Sequence, residues 1–151
     1  MKQHEHIYQR ATMHVGVGLC KICGRPKQVT KQWLAWRLEQ DADRVNVIGK
    51  ALLAIYERQT YDEQRSSSTR LDNGVGFSGP DARIGSIGAR MFKAGTLHDE
   101  KNAWVIQVWM RAAKDGLPRV CKYAAQLDKI AQQKQDFENR NYKELQFTDT
   151  L

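Results

Sequence analysis

Residues 30–64, TKQWLAWRLEQDADRVNVIGKALLAIYERQTYDEQ, decide the fold class. Leu34, Leu38, Val45, Ile48, Leu52 and Ile55 recur at helical spacing, interrupted once around Asp41, and this pattern lines one face of a helix with apolar side chains. Thr30 stands where an N-cap hydroxyl belongs. The stretch predicts one long helix, or two joined near Asp41 to Asp43, ending around Gln64.

Working outward toward the C-terminus, SSST at 66–69 and LDNGVGFSG at 71–79 have loop composition. Pro80 suits the first turn of a helix running to about Lys93, with Gly95 as its stop. Thr96 and Asp99 have capping-box spacing and predict a helix through Trp104, Val105, Val108, Trp109 and Ala112, punctuated by Gly116 and Pro118. A last helix from about Arg119 sets Val120, Tyr123, Ala124, Leu127, Ile130 and Ala131 on one face. Beyond it the chain is mostly polar. Toward the N-terminus, residues 7–19 alternate loosely and contain Ile, Thr and Val, which reads as a short strand or hairpin. The expected fold is mainly α, with three to four helices around one core and a short N-terminal β-hairpin or zinc-knuckle-like segment. Its divisions are the C-x-x-C segment at 1–29, a helical domain at 30–131, and a polar helix end and tail at 132–151.

A chain of 151 residues with 41% hydrophobic and 27% charged residues has enough apolar material for one core. No apolar run approaches the roughly 18 residues of a membrane span, and the first residues lack a signal-peptide core, so the expected setting is the cytoplasm without membrane. Lys and Arg outnumber Asp and Glu by 24 to 17, a net charge of +7, which favours a polyanionic partner. The excess is local. No acid lies between Glu5 and Glu39, whereas Arg10, Lys21, Arg25, Lys27, Lys31 and Arg37 all do, and these six are the candidate phosphate contacts.

Cys20-Lys-Ile-Cys23-Gly24 is the sharpest motif, because two thiolates on a tight turn can face one Zn2+ and the glycine permits the turn. No second C-x-x-C follows, so the remaining ligands must come from His4, His6, His14, His98 or Cys121, or from a second copy in a homodimer. The shortest closure uses His14, with His4 or His6 beside it. Reduced thiols without metal, and a redox pair, are the alternatives.

Gly74-Val-Gly76-Phe-Ser-Gly79 matches G-x-G-x-x-G, yet the polar residues before it make no buried strand, so a dinucleotide site is not supported. A phosphate at the following helix start, assisted by Arg83 and Arg90, is the alternative to a plain loop with Phe77 turned inward. Trp33, Trp36, Trp104 and Trp109 read mainly as core; Trp36, off the leucine stripe and between Lys31 and Arg37, is the stacking candidate. No nucleophile–base set or paired-carboxylate motif is present, so catalysis is not expected, and a zinc-dependent nuclease ranks third among the functions.

Arg58-Gln59-Thr60, then Asn73-Gly74-Val75-Gly76-Phe77 with Asp81-Ala82, and finally Lys122-Tyr123 with Gln126-Leu127 form a spaced pattern over about half the chain. The pattern resembles a small helical module of phage and mobile-element proteins. That resemblance implies a role in DNA processing and a viral source, without naming a reaction. The expected function is non-enzymatic nucleic-acid binding by an accessory protein. The alternative is a phage protein that binds and inhibits a host protein such as a defence or replication factor.

Overall fold

The structure, a computed structural model, describes residues 5–13, 15–59 and 75–149, with side chains other than those of Asp41 and 141–149. It is mainly helical. The stretch beginning at Thr30 forms two helices, α1 (Lys31–Glu39) and α2 (Arg44–Tyr56), joined by a 3-10 turn at Asp41–Asp43. Thr30 caps α1 by accepting the Trp33 N–H at 3.1 Å. The corner is held by its own charges, since Arg37 pairs with Asp43 and Arg44 Nε donates to the Leu38 carbonyl at 2.9 Å. Helix α2 ends at Tyr56 and turns over 57–59, short of the expected end near Gln64, because the Arg58 and Gln59 N–H groups bond back only three residues, to the Ile55 and Tyr56 carbonyls; the loop at 66–73 lies outside the described residues.

A 3-10 turn at Gly79–Asp81, with Pro80 inside it, leads into α3 (Ala82–Ala94). Gly95 ends that helix at φ 77°, a left-handed conformation that costs glycine least, and its N–H bonds back to the Met91 and Phe92 carbonyls. Thr96 acts differently from the expected capping box: its hydroxyl donates to the Met91 carbonyl at 3.3 Å, so it closes α3. Asn102 Nδ2 then donates to the Thr96 carbonyl, and α4 (Ala103–Met110) starts through a 3-10 turn at Glu100–Asn102. A tight loop with Gly116 at φ 80° returns the chain to a 3-10 turn at Arg119–Tyr123 and then α5 (Ala124–Asp149). From Ala131 to Arg140 nearly every α5 side chain is exposed.

The predicted stripe is the centre of the core: Leu34, Leu38, Ile48, Leu52 and Ile55 are buried together with Phe77, Leu97, Val105, Trp109, Val120 and Tyr123. Glycines leave room for α3 to pack against α2 and against the loop that precedes it. A Cβ on Gly49 would meet the Phe92 ring at 2.2 Å, and one on Gly85 would meet the buried Phe77 ring at 2.4 Å. Gly85→Ala therefore sets two opposed effects against each other. Helix propensity favours alanine by about 1 kcal/mol. Overpacking against a ring that is 1% exposed costs about 1–3 kcal/mol or more. The expected outcome is a net loss of about 1–2 kcal/mol, read as a lower denaturant midpoint.

The N-terminal segment differs from the expected β-hairpin. Among the described residues it has no strand, only isolated antiparallel bridges at Tyr8–Cys20 and Leu19–Pro26. Pro26 has no N–H to donate, and the chain turns again at Cys20, so neither pairing can propagate. The segment is docked by Gln32 Nε2 donating to the Met13 carbonyl and by the Val29 N–H donating to Asp128 on α5, both at 2.8 Å. No helix among the described residues is long and apolar enough to cross a membrane.

Candidate functional site

The C-x-x-C turn is built by its backbone. The Cys20 N–H donates to the Arg25 carbonyl at 2.8 Å and the Gly24 N–H to the Cys20 carbonyl at 2.9 Å, with Gly24 at φ 73°. The Lys21 N–H donates to the Ile7 carbonyl and the Gln9 N–H to the Leu19 carbonyl, both at 2.8 Å, which brings the chain around His6 alongside the turn. His6 Nδ1 thereby lies 3.5 Å from Cys23 Sγ. The ligand atoms of His6, Cys20 and Cys23 all fall within 4.8 Å of one another, a group that can hold a metal ion. Tetrahedral Zn2+ with bonds of about 2.3 Å to sulfur and 2.0 Å to nitrogen separates its ligand atoms by about 3.5–3.8 Å, so the arrangement fits with little movement.

His14, the expected third ligand, lies outside the described residues; among the described residues His6, one of its two expected companions, stands beside the thiols. His98 Nε2 is 3.0 Å from Asn46 Oδ1 on α2, and Cys121 is buried in the helical core, where burial pushes its thiol up to about 11. Neither joins the group.

Of the six N-terminal cations, Arg10, Lys21, Arg25 and Lys27 are exposed on the segment that carries the turn. The other two are engaged elsewhere, Lys31 with Asp115 at 3.2 Å and Arg37 with Asp43. Arg83 and Arg90 are exposed on α3, and the Arg90 guanidinium lies 5.7 Å from the centre of the Tyr56 ring.

Between the turn and α5 lies a groove of about 300 Å³. Its walls include His6, Tyr8 and Trp33, and Arg25, Lys27 and Lys134 also line it. Tyr8 is stacked on His6, with ring centres 5.8 Å apart and planes at 23°. Burial, followed by the neighbouring Cys20 and Cys23, holds the Tyr8 phenol above its ordinary range and therefore protonated. Trp36, the expected stacking residue, is half-buried and does not line this groove. The sequence could not single out Tyr8 or Lys134. Nothing in their local patterns announces a groove assembled from segments more than 100 residues apart.

The glycine loop has a structural explanation. Phe77 is turned inward as expected, edge-on to Tyr123 at 5.7 Å. The Gly76 N–H donates to Gln126 Oε1 at 2.8 Å and the Ser78 N–H to the Tyr123 hydroxyl oxygen at 3.0 Å, so these two amides are satisfied within the protein instead of facing a phosphate. Asp81 is the hub. Fully buried, it accepts from Arg119 Nε at 2.8 Å and from the Tyr123 hydroxyl at 2.6 Å, and it pairs with the Lys122 ammonium. Burial alone would raise the Asp81 carboxyl, but the hydrogen bonds from Lys122, Tyr123 and Arg119 outweigh it and hold the group below its ordinary range. Gly76, Phe77, Asp81, Lys122, Tyr123 and Gln126, spaced along the chain as one pattern, are thus neighbours in space.

No family model matches the chain, and neither a curated protein nor a solved structure matches it.

Proposed function

We propose that this chain is a non-enzymatic nucleic-acid-binding accessory protein of a phage or mobile element, and that Zn2+ on His6, Cys20 and Cys23 rigidifies its binding segment. The observation that carries the reading is the coincidence of a metal-ready turn with four exposed cations, Arg10, Lys21, Arg25 and Lys27, in a stretch that holds no acid between Glu5 and Glu39. Cations on a rigid segment make phosphate contacts and displace condensed counterions, so affinity depends on salt more than on sequence. Arg83 and Arg90 on α3 are candidates for an outer phosphate track. The source follows only from the resemblance.

The test is an anisotropy titration with DNA and RNA probes across a salt series. Binding at low salt is expected to weaken with a log–log slope of about −3 to −4, one unit for each engaged cation. Lys21→Ala with Lys27→Ala should reduce that slope by about two and weaken all sequences alike. Absence of DNA and RNA binding at low salt removes the reading.

A second reading has its own observation. Ile7, Met13 and Ile22 are apolar yet exposed on the same N-terminal segment, which suits contact with a protein surface, here a host factor to be inhibited. A pull-down from nuclease-treated host lysate separates the two: a stoichiometric protein partner that survives the nuclease supports this reading, and loss of all captured material supports the first.

A further inference from the structure

We propose that the groove between the C-x-x-C turn and α5 takes one unpaired nucleobase, which makes the preferred nucleic acid single-stranded. The inference rests on the nucleic-acid reading and adds the substrate class to it. At about 300 Å³ the groove has the size of a small-ligand site, adequate for one base and its sugar and too small for a duplex. A base inside a duplex is stacked on both faces and paired at its edge, so only an unpaired or extruded base can enter.

The chemistry of the walls suits that occupant. Tyr8 presents an aromatic surface backed by His6, and the same His6 belongs to the metal group, so bound metal would fix the stacking platform. Trp33 supplies a second aromatic wall from α1. Cations stand on both sides, Arg25 and Lys27 from the turn and Lys134 from α5, where the phosphates flanking an inserted base would pass. Asp128 and Glu138 also line the groove, and the Asp128 carboxylate is engaged by the Val29 N–H at 2.8 Å. Stacking on an aromatic face is tolerant of base identity, in keeping with weak sequence preference.

The experiment compares a fluorescein-labelled single strand of about 15 thymidines with a duplex of the same length, using wild type, Tyr8→Ala, Tyr8→Phe and Lys134→Ala. Wild type should favour the single strand. Tyr8→Ala should weaken single-strand binding about tenfold, with duplex binding unchanged, and Tyr8→Phe should restore it because the ring is kept. Should Tyr8→Ala disturb the N-terminal segment, Lys134→Ala on the exposed face of α5 decides: single-strand affinity falls about threefold and its salt slope drops by about one, with the duplex unaffected. Equal affinity for both probes, with each variant acting on both alike, overturns the groove proposal and leaves the nucleic-acid reading intact. Binding of neither probe overturns both.

Discussion

Asp81→Ala is expected to destabilise the helical core by about 3 kcal/mol, lowering the melting temperature by about 6–12 °C. The carboxylate is fully buried, and its removal strands the donors of four residues that now converge on it, Ser78, Arg119, Lys122 and Tyr123. Breaking a buried ion pair from one side costs about 3–5 kcal/mol. The Arg119 and Lys122 side chains are 28% and 39% exposed and can partly rehydrate, which sets the value at the low end. For the same reason Lys122→Ala should cost only about 1 kcal/mol. Because the folded-state Asp81 carboxyl titrates below its unfolded value, its contribution is complete above about pH 4 and is lost as the pH falls through the folded value. Stability curves of wild type and Asp81→Asn, measured by denaturant unfolding, should therefore be farthest apart at pH 5–7 and converge below about pH 4. A gap that stays constant down to pH 2 would show that Asp81 is not the titrating group.

This cluster also shows what the sequence could and could not convey. Thr30, the break at Asp41 to Asp43, the leucine–isoleucine stripe and Gly95 act through neighbours within one or two turns, so residue type and spacing suffice to place α1, α2 and the end of α3. Asp81 follows a proline at a helix start, and locally it reads as a first-turn acid beside a helix dipole. Its partners come from about forty residues further along the chain. No local pattern joins Asp81 to Arg119, Lys122 and Tyr123, which meet around its carboxylate. Thr96 differs from its local pattern for a related reason. A Thr followed three residues on by Asp fits a helix start, but both the N–H and the hydroxyl of Thr96 bond back to the Met91 carbonyl at the end of α3.

The N-terminal site was legible in its thiols and charges, and less so in its histidine. Spacing alone puts His14 first, with His4 or His6 beside it, and does not choose between those two, because each needs the chain to fold back on the turn. The Lys21–Ile7 hydrogen bond, which no sequence pattern specifies, brings His6 beside Cys23. The cations divide on a similar principle. Lys31 and Arg37 belong to the same acid-free stretch as the others, yet each meets an acid from beyond it, Asp115 and Asp43, whereas Arg10, Lys21, Arg25 and Lys27 are exposed on the segment that carries the turn.

Replacing Cys20 and Cys23 together by serine should abolish metal binding and loosen the chain before Trp33, leaving the helices folded. Between Gly16 and Gln32 few apolar side chains are available to bury, so the turn depends on its ligands for order, and metal binding there is folding free energy. Limited proteolysis should cut the double variant, and chelator-treated wild type, at sites before Trp33, while the helical circular dichroism is retained. Affinity for polyanions should fall by about tenfold although no charge has been removed, because flexible cations must be ordered on binding. Elemental analysis then reads the coordination. About one zinc per chain, lost on His6→Ala, gives a site closed within the monomer, with His4→Ala and His14→Ala testing the fourth ligand. Half a zinc per chain in a dimer means two turns sharing one ion. A metal content near zero, with wild type and the double variant indistinguishable by proteolysis, would reduce Cys20 and Cys23 to residues of an ordinary turn.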